Sequence, residues 1–351
     1  METMATESVR VAIACQGGGS HTAFTGGVLE EIIRHAPARY DIIALSGTSG
    51  GAMCATLAWD GLRRDDPDDA VTRLTGFWDD MAATDPLDRT AASLTLWGQR
   101  LFDDVVAGSL GISPFLNPAA RLGQRRLREA IDRHVGFDDA VRTSPPHLFV
   151  GAVNAETGRF EVFTDDPDGP TALKVRPDGL GGTVRSLADP CDALLASAAY
   201  PYVFPAVEIA GRDGAPEGHW DGLFSQNPPI RHFTIEEEVS RKPDQIWLVR
   251  INPRRVDRTP RSIGEIAHRR NALAGNISVH QELHAIETVN DFIANGVIDD
   301  DRYRQIEIRE IGLQLGLDHH SKLDRTPALL ERLRERGRTA APALWGKDSS
   351  G

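Results

Sequence analysis

Gly47-Thr48-Ser49-Gly50-Gly51 is a G-x-S-x-G sequence set between two stretches of different character. Residues 41–45 (DIIAL) form a short continuous apolar run, as in a buried strand, and residues 52–59 (AMCATLAW) read as a helix. Strand, sharp turn and helix are the context in which this motif makes a nucleophile elbow. Gly47, Gly50 and Gly51 permit a turn that a Cβ would obstruct. The residue after Thr48 is then lifted clear of the sheet at a helix N-terminus, where amide dipoles favour developing negative charge. Ser49 is therefore the candidate nucleophile, and the chemistry is acyl transfer. Glycine and serine also cluster in ordinary turns, so the assignment depends on partners elsewhere in the chain.

Three segments offer such partners. Residues 15–20 (CQGGGS) end the apolar run 9–14 (VRVAIA), and a helical pattern follows over about 22–34, with Phe24, Val28, Leu29 and Ile32 on one face. A loop at a strand-to-helix junction leaves the amides of Gly17, Gly18 and Gly19 free to face an anion. A phosphate loop is the rival, but no G-x-x-x-x-G-K-[ST] is present and G-x-G-x-x-G fails at Thr22. Beside a nucleophilic serine, an oxyanion hole is the better assignment. Asp221, in GHWDGL (218–223), follows an aromatic run and precedes Asn227-Pro228-Pro229. That places it at a strand end, where sites on parallel sheets assemble. Residues 196–205 (ASAAYPYVFP) put small residues before prolines and aromatics, so Pro201 and Phe204 either wall an apolar pocket or pack the core.

Strand, glycine loop, helix, strand, GTSGG and helix make a βαβα order, which calls for a parallel sheet covered by helices. Farther along, 147–164 alternate as a hairpin around 155–158, and 165–183 read as a loop rich in Asp, Pro and Gly. Another strand is expected at 245–251, a long helix or helix pair at 262–295, and a helix starting at Thr326-Pro327. Residues 85–118 bring Leu94, Trp97, Leu101 and Val105 to one helical face. This segment is either a helix docked on the core or an inserted lid, with Trp97 and Leu101 as pocket candidates.

Taken together, these motifs resemble the patatin-like phospholipase family: a glycine-rich loop near the N-terminus, G-x-S-x-G about thirty residues on, A-S-x-A-x-P-x-x-F-P, and a late D-G-[GA]. Residues 271–278 (NALAGNIS) with Gln281-Glu282-Leu283 are also similar to bacterial members. The resemblance spans roughly 9–335. It implies a three-layer α/β/α sandwich with a mainly parallel central sheet, in one domain over 9–335 with flexible tails at 1–8 and 340–351. It further implies Ser49 as nucleophile, Asp221 as its base, and the amides of Gly17, Gly18 and Gly19 as oxyanion hole. The substrates implied are fatty-acyl esters such as phospholipids or lysophospholipids, and no cofactor or metal is needed. Two departures stand out. The family's loop usually reads G-G-G-x-[RK]-G, whereas this chain has His21 and Thr22 there, and D-G-[GA] becomes Asp221-Gly222-Leu223.

A carboxylate with its ordinary pKa near 4 is a weak base at neutral pH, so a Ser–Asp dyad requires Asp221 to be desolvated. Two enzymatic alternatives are weaker. A Ser-His-Asp α/β-hydrolase would need several strands before the elbow, but only about forty residues precede it. His280 and His284 stand at i, i+4 around Glu282, yet H-Q-E-L-H misplaces the acid that H-E-x-x-H requires. A non-catalytic lipid-binding or scaffolding protein on the same fold stays open, because fold does not imply activity.

The 351 residues carry 51 acidic and 39 basic side chains, a formal net charge of −12. That excludes nucleic acid as the main partner and disfavours simple electrostatic adhesion to anionic membranes. Cys15, Cys54 and Cys191 lack metal-type spacing, and the start METMATESVR has no apolar signal core. A cytoplasmic protein is expected, with peripheral membrane contact open through the amphipathic stretch 326–338. Oligomeric state is not legible.

Overall fold

In a computed structural model, the described residues are 8–84, 113–136, 144–167, 183–187, 189–201, 203–211, 214–234, 241–298, 303–317 and 319–346. Val9–Cys15 (β1) and Tyr40–Thr48 (β2) pair in parallel and are joined by the helix Ala23–His35 (α1). Parallel neighbours need a crossover of this kind. Along β1, Val11, Ile13 and Cys15 enter one apolar cluster while Ala12 and Ala14 enter another, and all five are fully buried. Burial on both faces is why this strand reads as a continuous apolar run.

The other strands are His147–Asn154 (β3), Phe160–Thr164 (β4), Thr183–Ser186 (β5), Val207–Ala210 (β6), Pro216–Asp221 (β7), Gln245–Arg250 (β8) and Glu307–Gly312 (β9). Their order is β5-β4-β3-β2-β1-β8-β9, with β7 paired to β3 and β6. The β3–β4, β3–β7 and β6–β7 pairs are antiparallel, and the rest of the order is parallel. The expected hairpin at 147–164 is β3–β4.

The helices that follow are Gly50–Leu62 (α2), Pro67–Met81 (α3), Pro118–His134 (α4), Pro190–Ser197 (α5), Ile263–Ala294 (α6) and Pro327–Ala340 (α7). Three of them start alike: Asp66, Asn117 and Asp189 cap with their side chains, and proline takes the next position. Proline there forgoes an N–H that has no helical partner anyway. Helix α6 is one continuous helix opened by a capping box between Ser262 and Glu265. Helices α1 to α5 and α7 pack on one face of the sheet, and α6 covers the other through Val279, Leu283 and Ile286. The result is a three-layer α/β/α sandwich with a mainly parallel sheet.

The C-terminal helix is bound tightly to α1. A Cβ on Gly27 would lie 2.0 Å from the Arg334 carbonyl oxygen, and one on Gly337 would lie 2.1 Å from that of Phe24. Glu30, fully buried, pairs with both Arg334 and Arg338. The chain beyond 340 continues this packing: Ala341–Leu344 is a short 3-10 helix with Ala341 and Leu344 buried. Within the expected 340–351 tail, Ala341 and Leu344 are thus core residues, because this 3-10 helix packs on α1 and β9. Residues 85–112, and with them Leu94, Trp97, Leu101 and Val105, lie outside the described residues, as do 1–7 and 347–351. Phe115 and Leu116, just before α4, are exposed. Among the described residues, no helix is long and apolar enough to cross a membrane.

Candidate active site

Ser49 sits between the end of β2 and the start of α2 with φ 55° and ψ −131°. A non-glycine residue in such a conformation costs roughly 1–3 kcal/mol, so its surroundings must hold it there. Two sets of hydrogen bonds do so. The Ser49 N–H donates to Ser197 Oγ at 2.9 Å, and the Ser197 hydroxyl donates to the Gly151 carbonyl at 2.7 Å. The Ser49 carbonyl accepts from the Ala52 and Met53 amides at 2.9 and 3.2 Å, starting α2. At Gly51 the elbow lies against the end of β1: a Cβ there would lie 2.3 Å from the Cys15 carbonyl oxygen. Ser49 itself is only half-buried, so its hydroxyl is reachable.

Asp221 ends β7, whose antiparallel pairing sets it opposite Ala152 of β3, beside the strand that neighbours β2. Its N–H donates to the Ala199 carbonyl at 3.0 Å. Its buried carboxylate accepts the Leu223 N–H at 2.8 Å, and the Ser49 hydroxyl stands near enough to favour its ionised form. Burial lifts the carboxyl to a pKa of about 7, against the Leu223 amide, the Ser49 hydroxyl and the nearby Lys322 ammonium, which all favour the ionised form. The third residue of the D-G-[GA] motif therefore contributes its backbone. Leucine is accommodated there, its Cδ1 lying 2.9 Å from where a Cβ on Gly275 would stand.

The three loop glycines are not equivalent. The Gly17 N–H donates to Asn227 Oδ1 at 2.7 Å, so it is already committed. The Gly18 and Gly19 amides make no hydrogen bond with any described residue. Gly19 has φ 58°, in the region that favours glycine. His21 and Thr22, at the loop positions where the family carries a basic residue and a glycine, are buried and engaged. His21 Nε2 lies 2.7 Å from Ser321 Oγ, and the Thr22 hydroxyl donates to the Gly19 carbonyl at 2.5 Å.

Several residues that the motifs did not single out support this loop. Gln16 accepts the Ile251 and Asn252 amides, both at 2.8 Å, and donates to the Gly275 carbonyl and Asn276 Oδ1. Asn252 donates to the Gly17 carbonyl at 3.3 Å, and Asn227 to that of Gly275 at 3.3 Å. A buried amide side chain has to be hydrogen-bonded, so polar residues flanking buried strands were the available signal. The partners that reach the glycine loop are not legible in the sequence, because they lie more than 200 residues away in the chain.

A cavity of about 640 Å³ runs along α6 beside Leu223 and Phe224, with Ala274, Ile277 and Ile286 among its apolar walls. Pro201 and Phe204 are half-buried and do not line it; Phe204 packs beside Gly123 of α4, its ring 3.1 Å from where a Cβ would stand. His280 and His284 are exposed on α6 and belong to no metal-type cluster among the described residues. The cluster that has such geometry, Glu161, Glu217 and His219, already contains a cation: the Arg185 guanidinium lies 2.9 Å from Glu161 and 3.6 Å from Glu217.

Against curated proteins the chain has no significant match. Among solved structures it is similar to VipD from Legionella pneumophila, at 12% identity over 97% of this chain and 67% of that one, with a TM-score of 0.39. It is also similar to the type III effector protein ExoU, at 13% identity over 97% of this chain and 54% of that one, with a TM-score of 0.33. A heterodimeric complex of ExoU with SpcU from Pseudomonas aeruginosa gives 14%, 97%, 52% and 0.29. The chain spans about two thirds of VipD and about half of ExoU. The sequence model of the patatin-like phospholipases matches residues 13–234, which run from β1 through Ser49 to just beyond Asp221. With more than half of its length inside that match, the chain belongs to the patatin-like phospholipase family, a family of lipid acyl hydrolases.

Proposed function

We propose that this protein is a serine hydrolase of fatty-acyl lipid esters that works through a Ser49–Asp221 dyad. The observation that carries the reading is the Asp221 carboxylate held beside the half-buried Ser49 at the elbow, where burial makes it a usable base near neutral pH. Asp221 takes the Ser49 proton as Oγ bonds to the ester carbonyl carbon. The carbonyl π pair becomes an oxyanion, which the Gly18 and Gly19 amides and the N-terminal end of α2 stabilise. Collapse of this intermediate expels the alcohol, which takes the proton from Asp221. Water then cleaves the acyl-enzyme, with Asp221 again as base. The cavity along α6, whose walls include Leu223 but neither Ser49 nor Asp221, offers apolar surface for an acyl chain that extends away from the dyad.

The test is turnover of short- and long-chain acyl esters, including phospholipid vesicles, by the wild type, Ser49→Ala and Asp221→Asn. Both variants are expected to lose roughly a thousandfold or more in kcat while remaining folded. Full activity in Asp221→Asn would remove the dyad. An inert wild type that nonetheless binds vesicles would favour a lipid-binding role.

A further inference from the structure

The glycine turn carries no lysine or arginine of its own, yet a lysine lies against it. Lys322 belongs to the short 3-10 helix His319–Leu323, which packs on the 3-10 turn Gly19–Thr22. A Cβ on Gly19 would stand 2.3 Å from the Lys322 carbonyl oxygen and 3.3 Å from its Cβ, so this segment is seated directly on the turn. The preceding residue, Ser321, meets His21 of the same turn. The Lys322 ammonium donates to Asn252 Oδ1 at 2.7 Å, and Asn252 in turn donates to the Gly17 carbonyl. Among the described residues no carboxylate forms an ion pair with Lys322. The charged group near enough to interact with it is Asp221.

We propose that Lys322 is the fixed cation of this site, a positioning residue that reaches the glycine turn from the C-terminal segment and acts through Asp221 and the oxyanion loop. The proposal rests on the dyad reading above. In that reaction one negative charge changes place: the proton leaves Ser49 for Asp221, and the charge reappears on the carbonyl oxygen. A cation near both positions favours the ionised base before transfer and the oxyanion after it. An ammonium beside a forming anion is worth far more in a water-poor site than on the surface. Two shifts agree with this placement. Lys322 draws the Asp221 carboxyl down against the effect of burial, while burial lowers the ammonium to about 8. Among the described residues, the titratable side chains near Lys322 are Asp221 of β7 and, on the neighbouring Ser321, His21 of the glycine turn.

The test is the pH profile of kcat/KM on a water-soluble short-chain ester for the wild type, Lys322→Met, Lys322→Gln and Lys322→Arg, with thermal melts as the folding control. The wild type is expected to rise through about pH 7 as Asp221 ionises and to fall through about pH 8 as Lys322 loses its proton. The neutral variants should lose the falling limb, move the rising limb upward and slow about tenfold to a hundredfold. Lys322→Arg should restore the rising limb and keep its rate above pH 8, since guanidinium does not titrate there. Folded neutral variants with both limbs unchanged, at any rate, would overturn the proposal and reduce Lys322 to a structural contact. If neither neutral variant folds, the wild-type profile decides, and a plateau above pH 8 overturns it. A wild type without esterase activity, or an active Ser49→Ala, would instead defeat the dyad reading itself.

Discussion

The two halves of this site are built in opposite ways. The nucleophile side is mostly local: Gly47 to Gly51 lie in one turn between their own strand and helix, with Ser197 the one distant side chain that holds the Ser49 N–H. The loop side is assembled from afar. Gly17 is met by Asn227, Gln16 by Asn276, and the turn around Gly19 by Lys322, across separations of more than 200 residues. Asp221 joins the halves, because β7 pairs with β3 and so enters beside β2. The contrast teaches that a nucleophile needs a strained local backbone, which a short motif can encode. An anion site needs oriented amides, and orienting them takes buried polar side chains from wherever the fold brings them.

The largest expected effect breaks the joint between the halves. Asp221→Asn should lower kcat by roughly a thousandfold, with its chief readout the loss of the rise through about pH 7. An intact rise would mean that another group is the base. Next comes the loop side. Asn227→Ala frees the Gly17 amide and removes its anchor to Gly275, and should lower kcat about tenfold to a hundredfold with little change in KM. A change confined to KM would shift Asn227 from loop support to substrate contact.

On the nucleophile side, Ser197→Ala strips the acceptor from the Ser49 N–H and the donor from the Gly151 carbonyl. Stability should fall by about 1–3 kcal/mol in denaturant melts, because buried backbone groups are left unpaired. A smaller effect tests the strain directly. Ser49→Gly should be more stable than Ser49→Ala by about 1 kcal/mol, since glycine adopts φ 55° without a Cβ penalty. Equal melts would mean that the turn is unstrained.

The Asp221 pKa also has a consequence for stability, with a definite sign. Folding raises this carboxyl from near 4 to about 7, so the folded state retains a proton that the unfolded chain releases. The wild type should therefore lose stability as pH rises from about 4 to about 7 and not regain it above. Asp221→Asn escapes that loss, so its melting temperature should exceed that of the wild type at pH 8 by more than at pH 4. A gap independent of pH would contradict the shift.

This division also accounts for how much was legible beforehand. The apolar runs of β1, β2 and β8 and the glycines around Ser49 announce the layered sheet and the elbow, because burial on both faces and a close backbone approach each demand particular residue types. Asp221 is legible as the end of an aromatic strand pattern and from the late D-G of the family resemblance; nothing local indicates that β7 turns back along β3. The sequence does not tell Gly17 from Gly18 and Gly19, because the side chain that accepts from the Gly17 amide sits 210 residues away. The sequence places 340–351 in a flexible tail, yet Leu344 is fully buried and Trp345 lies 6.1 Å from Trp247, ring centre to ring centre. Lys322 was invisible for the same reason: a surface-type residue in a polar stretch gives no sign that folding will seat it on a glycine turn.

The central claim is that Ser49 is a nucleophile activated by Asp221, and covalent labelling with a fluorophosphonate tests it without knowledge of the lipid. The account predicts one adduct, located by mass spectrometry on Ser49, forming at a rate that climbs through about pH 7 and drops by orders of magnitude in folded Asp221→Asn. No adduct on Ser49, or labelling of Asp221→Asn at the wild-type rate across that range, would contradict it.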